Sequence, residues 1–230
     1  MLPDPKKAFY ILIFTLMFSC KGQQEVKKEY AECIKEIIIR RDDFRTKYIE
    51  SDSLKKASII IEARNYLTGI MANKVFPYWY GTKWDFNGTT RTPRKGKIAC
   101  GYFVTNVLTD VGFSIPRVKW AQSASEVFIK KLANKQIKRF SNKPIDHVEN
   151  YLVKSGSGLY LVGLDSHTGF IYVNNNDVRF IHADYYEPDK GVVSEKLDSF
   201  SPIAHSSYRV IGKLMSDDMM ISWIKNYAIN

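Results

Sequence analysis

The chain is poor in the residues that build metal and disulfide frameworks. Its 230 residues include three cysteines and four histidines. No Cys-x-x-Cys pair and no His-Glu-x-x-His occurs, and the histidines at 147, 167, 182 and 205 are scattered, so nothing reads as a metal site and no cofactor is implied. Low-complexity tracts are missing, and 45% hydrophobic with 13% aromatic residues is a globular composition. Also missing is any apolar run of the ~20 residues that a membrane-spanning helix needs. The run from Ala8 to Phe18, broken at Thr15, falls short of it. Acidic residues are in deficit: 24 Asp and Glu stand against 34 Lys and Arg, a net charge of +10. Such a surface favours anionic partners, whether nucleic acid, anionic lipid or wall polymer, and charge alone does not choose among them.

The N-terminus does choose. Lys6 and Lys7 precede the apolar run, and Ser19-Cys20 ends it, followed by Lys21-Gly22-Gln23-Gln24. A basic start and a short apolar run make a signal peptide. The small residue before Cys20 resembles the lipobox of bacterial lipoproteins, which implies removal of residues 1–19 and acylation of Cys20. A plain secretory signal with Cys20 incidental is the alternative. Export to the cell envelope argues against nucleic acid and for a membrane anchor through the N-terminal lipid. Cys33 and Cys100 then remain, and a disulfide between them would silence either thiol. Cys33 lies in a helical pattern, where its role is structural.

Residues 20–52 are expected to form a tether or a helix packed on a domain spanning 53–230. Val26, Tyr30, Cys33, Ile37 and Ile38 recur at helical spacing. Ser51-Asp52-Ser53 offers N-caps for a helix over about 53–73, which Pro77 interrupts. A polar loop with Arg91, Arg94, Lys95 and Lys97 fills 82–98, and its Asn87-Gly88-Thr89 sequon is incidental. Cys100 opens an apolar helix to Val111, with Gly112 as its C′ residue. Ser123 with Glu126 is a capping box for a helix through Leu132. A short helix runs from Ile145 to Val153. Strands follow at 159–164, 168–173, 178–183 and 207–214, with turns at Asp165-Ser166 and Asn174–Asp177. Ser216 caps a last helix ending near Tyr227. Helices first and an antiparallel sheet after make the chain α+β.

Within this frame a cysteine at a helix start precedes histidines on downstream strands, His167 and His182. A thiolate is the nucleophile in thiol hydrolases, and a helix N-terminus lowers a thiol pKa from ~8.5 when a basic group is also near. A histidine must reach the sulfur, and a third group must orient that histidine.

Four motifs, in order, resemble the NlpC-type cell-wall peptidases, a branch of the papain-like cysteine hydrolases. They are Pro77-Tyr78-Trp79-Tyr80-Gly81, Cys100-Gly101-Tyr102-Phe103-Val104, His167-Thr168-Gly169-Phe170-Ile171-Tyr172 and Phe180-Ile181-His182-Ala183. The resemblance spans about residues 55–213. It implies a papain-like fold with Cys100 as nucleophile, His167 as base and His182 as orienting residue. It further implies an oxyanion held by the Cys100 N–H with the Tyr80 hydroxyl, and a cleft at Gly101 and Trp84. The family's usual Asp and Ser beside the nucleophile, which bind the substrate's free amine, are Ala99 and Gly101 here. That recognition is lost or supplied elsewhere.

The expectation is an exported, lipid-anchored thiol amidohydrolase acting on peptidoglycan stem peptides through an acyl-enzyme. The alternative is a catalytically silent lipoprotein of the same fold that binds wall peptides. Cys100 preceding His167 sets the chain apart from the permuted, lipid-directed acyltransferase branch, where histidine comes first. Taken singly, each motif also has a plain reading. Cys100 alone is a small core residue, His182 alternates toward cleft or solvent, and Trp79, Trp84 and Trp120 are core aromatics or cleft walls. His147 and His205 stand outside any motif and are read as surface or packing residues.

Overall fold

Helical spacing in the first half of the chain becomes a layer of helices. The computed structural model describes the backbone at residues 5–134, 136–198 and 200–230, and side chains from Gln24 onward. The acylation expected at Cys20 lies outside the described side chains. Helix α1 (Pro5–Glu50) is followed by α2 (Ser53–Ile70), whose N-cap Asp52 accepts from the Lys55 N–H at 2.9 Å. The Pro77 interruption is gentler than expected. A π-helical turn at Met71–Val75 carries α2 directly into α3 (Phe76–Trp79), and Pro77 sits in the first turn of α3.

After the two-residue strands β1 (Lys83–Trp84) and β2 (Lys97–Ile98) come α4 (Cys100–Asp110), α5 (Arg117–Ala121) and α6 (Ser125–Ala133). Strand β3 (Ile137–Ser141) and helix α7 (Ile145–Ser155) lead into β4 (Gly158–Leu164), β5 (Thr168–Asn174) and β6 (Asp177–Ala183). Then follow β7 (Val192–Lys196), α8 (Pro202–His205), β8 (Tyr208–Lys213) and α9 (Asp217–Lys225). The long strands form one antiparallel sheet in the order β3-β8-β4-β5-β6-β7. The chain is therefore α+β, with helices packed on an antiparallel sheet.

Alternation splits the sheet between two apolar layers. Leu159, Leu161, Phe170, Ile181 and Val210 face the main helical layer, while Tyr160, Val162, Ile171, Phe180 and Ile211 face α7 and the α8 turn. From Tyr30 to Tyr48, α1 belongs to the first layer and does not stand off as a tether: Ile37 and Phe44 are fully buried. The Tyr30 hydroxyl donates to Asp110 at the far end of α4 (2.9 Å) and accepts from the Trp79 indole (3.1 Å), joining α1, α3 and α4.

Two expectations change. The capping box at Ser123 and Glu126 does not form. Ala124 is the N-cap of α6, and the Ser123 hydroxyl donates back to the Trp120 carbonyl. Glu126 turns instead to Lys130, Arg139 and the Tyr208 hydroxyl, charge-assisted partners stronger than a backbone amide. Strands β3 and β7, absent from the expected set, are the two edges of the sheet. Their charged residues (Lys138, Arg139, Glu195, Lys196) suit edges and hide the alternation that marks a half-buried strand.

Truncating Phe44 tests whether α1 folds with the rest. Its ring packs against Tyr66 and Trp223, so Phe44→Ala should cost about 3–5 kcal/mol in denaturant unfolding. A loss below about 0.5 kcal/mol would separate α1 from the cooperative unit.

Candidate active site

The nucleophile candidate is placed by a loop, a helix start and a strand. The loop before α4 is pinned where the Ala99 N–H donates to the Gly88 carbonyl at 2.8 Å and the Asn106 amide donates to the Thr90 carbonyl at 2.8 Å. Gly88 is required there, because a Cβ would lie 2.5 Å from the Ile98 nitrogen. Of the loop's cations, Lys97 pairs with Asp85 within the loop, while Arg91 reaches Asp110 at the end of α4 and Arg94 the Pro77 carbonyl. Helix α4 begins with Cys100, and its N-cap, Ala99, supplies no side-chain acceptor. The first intrahelical bond runs from the Phe103 N–H to the Ala99 carbonyl. The amides of Cys100 and Gly101 therefore have no partner within the helix.

Cys100, Gly101, His167 and Thr168 line one cavity of about 440 Å³, with Ser123, Ser125, Glu126, Ser166 and Tyr208 around them. Gly101 lies close against α5: a Cβ there would come within 2.3 Å of the Ala121 carbonyl oxygen. A serine has no room at this position. Cys33 and Cys100 are both free thiols, and Cys33 is packed in the core.

Behind the cavity the two histidines meet. His167 Nε2 lies 3.0 Å from His182 Nδ1, and His182 Nε2 lies 3.1 Å from Glu195 Oε1. The same carboxylate oxygen accepts from the Ser201 hydroxyl at 2.6 Å. His167 is 4% exposed and His182 is fully buried. The His182 ring stacks on Phe180, with centroids 4.1 Å apart. Gly169 is needed beside β6, since a Cβ there would sit 2.7 Å from the Phe180 ring and 2.8 Å from the His182 Cβ.

Burial dominates the electrostatics. It pushes the Cys100 thiol up from its ordinary range, and the opposing amides of Thr168, Gly101 and Cys100 do not offset it. Burial also holds His167 well below the ordinary imidazole range, and His182 adds to that. The lowered thiol expected from the helix start is thus reversed, because the cost of a buried thiolate exceeds what the helix end returns. Glu195 stays ionised for the opposite reason. Burial would raise its carboxyl, but the hydrogen bonds from His182 and Ser201 win and hold it low. Glu126 is held at about 2 by Lys130, Arg139 and Tyr208, so its charge in the cavity wall is already matched.

The remaining sequence candidates lie elsewhere. The Tyr80 hydroxyl pairs with Ser194 and does not line the Cys100 cavity, so it is not an oxyanion donor in this arrangement. Trp84 also misses that cavity. Its ring packs 6.2 Å from Tyr185, whose ring in turn lies 4.7 Å from His167, and its buried indole N–H has no partner. Trp79 and Trp120 are core residues, Trp120 stacked on Phe128. His147 and His205 are exposed. Glu195 and Ser201 escaped sequence reasoning, because only the β6–β7 register brings them behind His182.

A larger hollow of about 640 Å³ opens between α2, β8 and α9. Neither cysteine nor histidine lines it. Arg64 there donates to the Met215 carbonyl and Asp217, and Lys213 to the Ser155 carbonyl. Among the described residues no group of three or more His, Cys, Asp or Glu is placed to hold a metal ion, and no helix is long and apolar enough to cross a membrane. No family model, no curated protein and no solved structure matches the chain.

Two outcomes are expected. Gly101→Ala should cost about 1–3 kcal/mol by overpacking α4 against α5, read by thermal or denaturant unfolding; an unchanged midpoint would show the two helices free to separate. Alkylation of Cys100 by iodoacetamide, followed by mass spectrometry of its peptide, should rise with pH and turn over above the ~8.5 of a free thiol. The sign follows from the raised thiol, which stays protonated through neutral pH. Fast alkylation persisting below pH 7 would reveal a standing ion pair instead.

Proposed function

We propose that the chain is an exported, lipid-anchored thiol amidohydrolase with a papain-like, NlpC-type architecture, acting on the amide bonds of peptidoglycan stem peptides. The observation that carries this reading is the hydrogen-bonded imidazole pair, His167 Nε2 to His182 Nδ1 at 3.0 Å, with His167 sharing a cavity with a cysteine at an uncapped helix start. With Nε2 engaged by His182, Nδ1 is the nitrogen of His167 left for the thiol.

Cys100 Sγ attacks the amide carbonyl carbon while its proton passes to His167 Nδ1. The developing oxyanion meets the free amides at the start of α4. The carbon–nitrogen bond then breaks, and the leaving amine takes the proton from His167. A water molecule, deprotonated by His167, attacks the resulting thioester; the acid product leaves and the thiol is restored. Because thiol and imidazole both rest neutral, attack and proton transfer proceed together and do not start from a preformed thiolate. His182 is a positioning residue in this scheme. The net charge of +10 favours residence on an anionic wall or membrane surface.

One observation favours a second reading, a silent wall-peptide binder of the same architecture. The usual Asp and Ser beside the nucleophile are replaced by Ala99 and Gly101, and the thiol is held in its unreactive form.

Defined stem peptides incubated with the full-length protein and analysed by mass spectrometry separate the two. The hydrolase reading expects cleavage by the wild type that Cys100→Ala and His167→Ala abolish, with peptide binding retained. It also expects a smaller loss in His182→Ala. Binding without cleavage by the wild type would establish the binder.

A further inference from the structure

We propose that Glu195 is a positioning residue that sets the proton pattern of both imidazoles, so that Nδ1 of His167 is left bare to take the thiol proton. Its consequence for catalysis rests on the hydrolase reading above; the proton pattern itself rests on the hydrogen-bond geometry and an ionised Glu195 beside neutral rings.

The inference runs along one line of atoms. An ionised carboxylate only accepts hydrogen bonds. Glu195 Oε1 already accepts from Ser201, which is 1% exposed, and it faces His182 Nε2 at 3.1 Å. His182 Nε2 must therefore carry a hydrogen. In the neutral ring Nδ1 is then bare, and it faces His167 Nε2 at 3.0 Å, so His167 Nε2 carries the next hydrogen. Neutral His167 is left with a bare Nδ1.

Without the carboxylate the pair is degenerate. A hydrogen on His182 Nδ1 pointing at a bare His167 Nε2 satisfies the same 3.0 Å contact. In that pattern His167 Nδ1 holds a hydrogen and cannot accept one from sulfur. Glu195 removes the degeneracy from two rings away. When the Sγ–H bond breaks and the Nδ1–H bond forms, no other hydrogen bond in the line is lost. The new positive charge lies along a path that ends on the carboxylate.

The surroundings leave this role to Glu195. The groups that act on it are the His182 ring, the Ser201 hydroxyl and, at longer range, Lys190, which is itself paired with Glu187. Strand register explains the placement. His182 pairs with Val193 and Phe180 with Glu195, so Glu195 emerges two residues along on the face that His182 shares.

The test is the ring-nitrogen spectrum of ¹⁵N-histidine-labelled full-length protein near pH 7.5, where the two nitrogens of a neutral imidazole are distinguishable. The expected wild-type pattern is His167 protonated on Nε2 with Nδ1 bare, which needs no substitution to observe. Glu195→Leu should move part of His167 to the Nδ1-protonated form. It should also lower kcat for peptide cleavage by about 10- to 100-fold with KM little changed, less than the ~10⁴ lost where a carboxylate touches the base directly. Glu195→Gln, which keeps an accepting oxygen, should retain the wild-type ring pattern and lose less activity. Wild-type His167 protonated on Nδ1, or Glu195→Leu with an unchanged ring pattern, would overturn the proposal. A wild type with the expected pattern that cleaves no peptide would overturn the hydrolase reading and uphold the proton assignment.

Discussion

Two buried imidazoles at the sheet are held by one continuous line of hydrogen bonds, and this line organises the site. His167, His182, Glu195 and Ser201 form one hydrogen-bonded line across β5, β6, β7 and the segment before α8. An unpaired nitrogen at that depth costs roughly 1–3 kcal/mol, so each member depends on the next. The surrounding structure accommodates the line. Gly169 leaves room for Phe180 and His182, Phe180 stacks on His182, and the antiparallel register sets Glu195 at the far end.

On the other side of His167 the helical layer brings the thiol to the sheet. Loop contacts from Gly88 and Thr90, the close approach of α4 to α5 at Gly101, and the network through Tyr30 and Asp110 fix α4 at both ends. Ala99 leaves the first amides of α4 without a side-chain cap, in contrast to Asp52 and Ser216 at α2 and α9. A helix start that is open to a ligand is also less stable by itself, since a missing cap costs ~1 kcal/mol. The packing of Phe103, Val104, Val107 and Leu108 compensates.

Burial also decides the electrostatics. A cysteine at a helix start reads as an activated thiol when the neighbourhood is wet, but here desolvation raises the Cys100 thiol and lowers the His167 imidazole together.

Much of this arrangement was legible in the chain. The helix beginning at Cys100, the strands around His167 and His182, and the caps at Asp52 and Ser216 follow from apolar spacing and capping chemistry within a few residues. The capping box at Glu126 was misread because Arg139 and Tyr208, far along the chain, compete for that carboxylate. Tyr80 and Trp84 lie near Cys100 in order but not in its cavity. The two edge strands were hidden by the charges that protect them. The sequence by itself determined most of the elements, the α+β order and the succession of Cys100, His167 and His182 on a helix start and the strands after it, because these rest on local periodicity. Only the tertiary structure decided which carboxylate stands behind His182 and in which direction the thiol shifts. Both depend on strand register and depth of burial, which join residues that no local pattern connects.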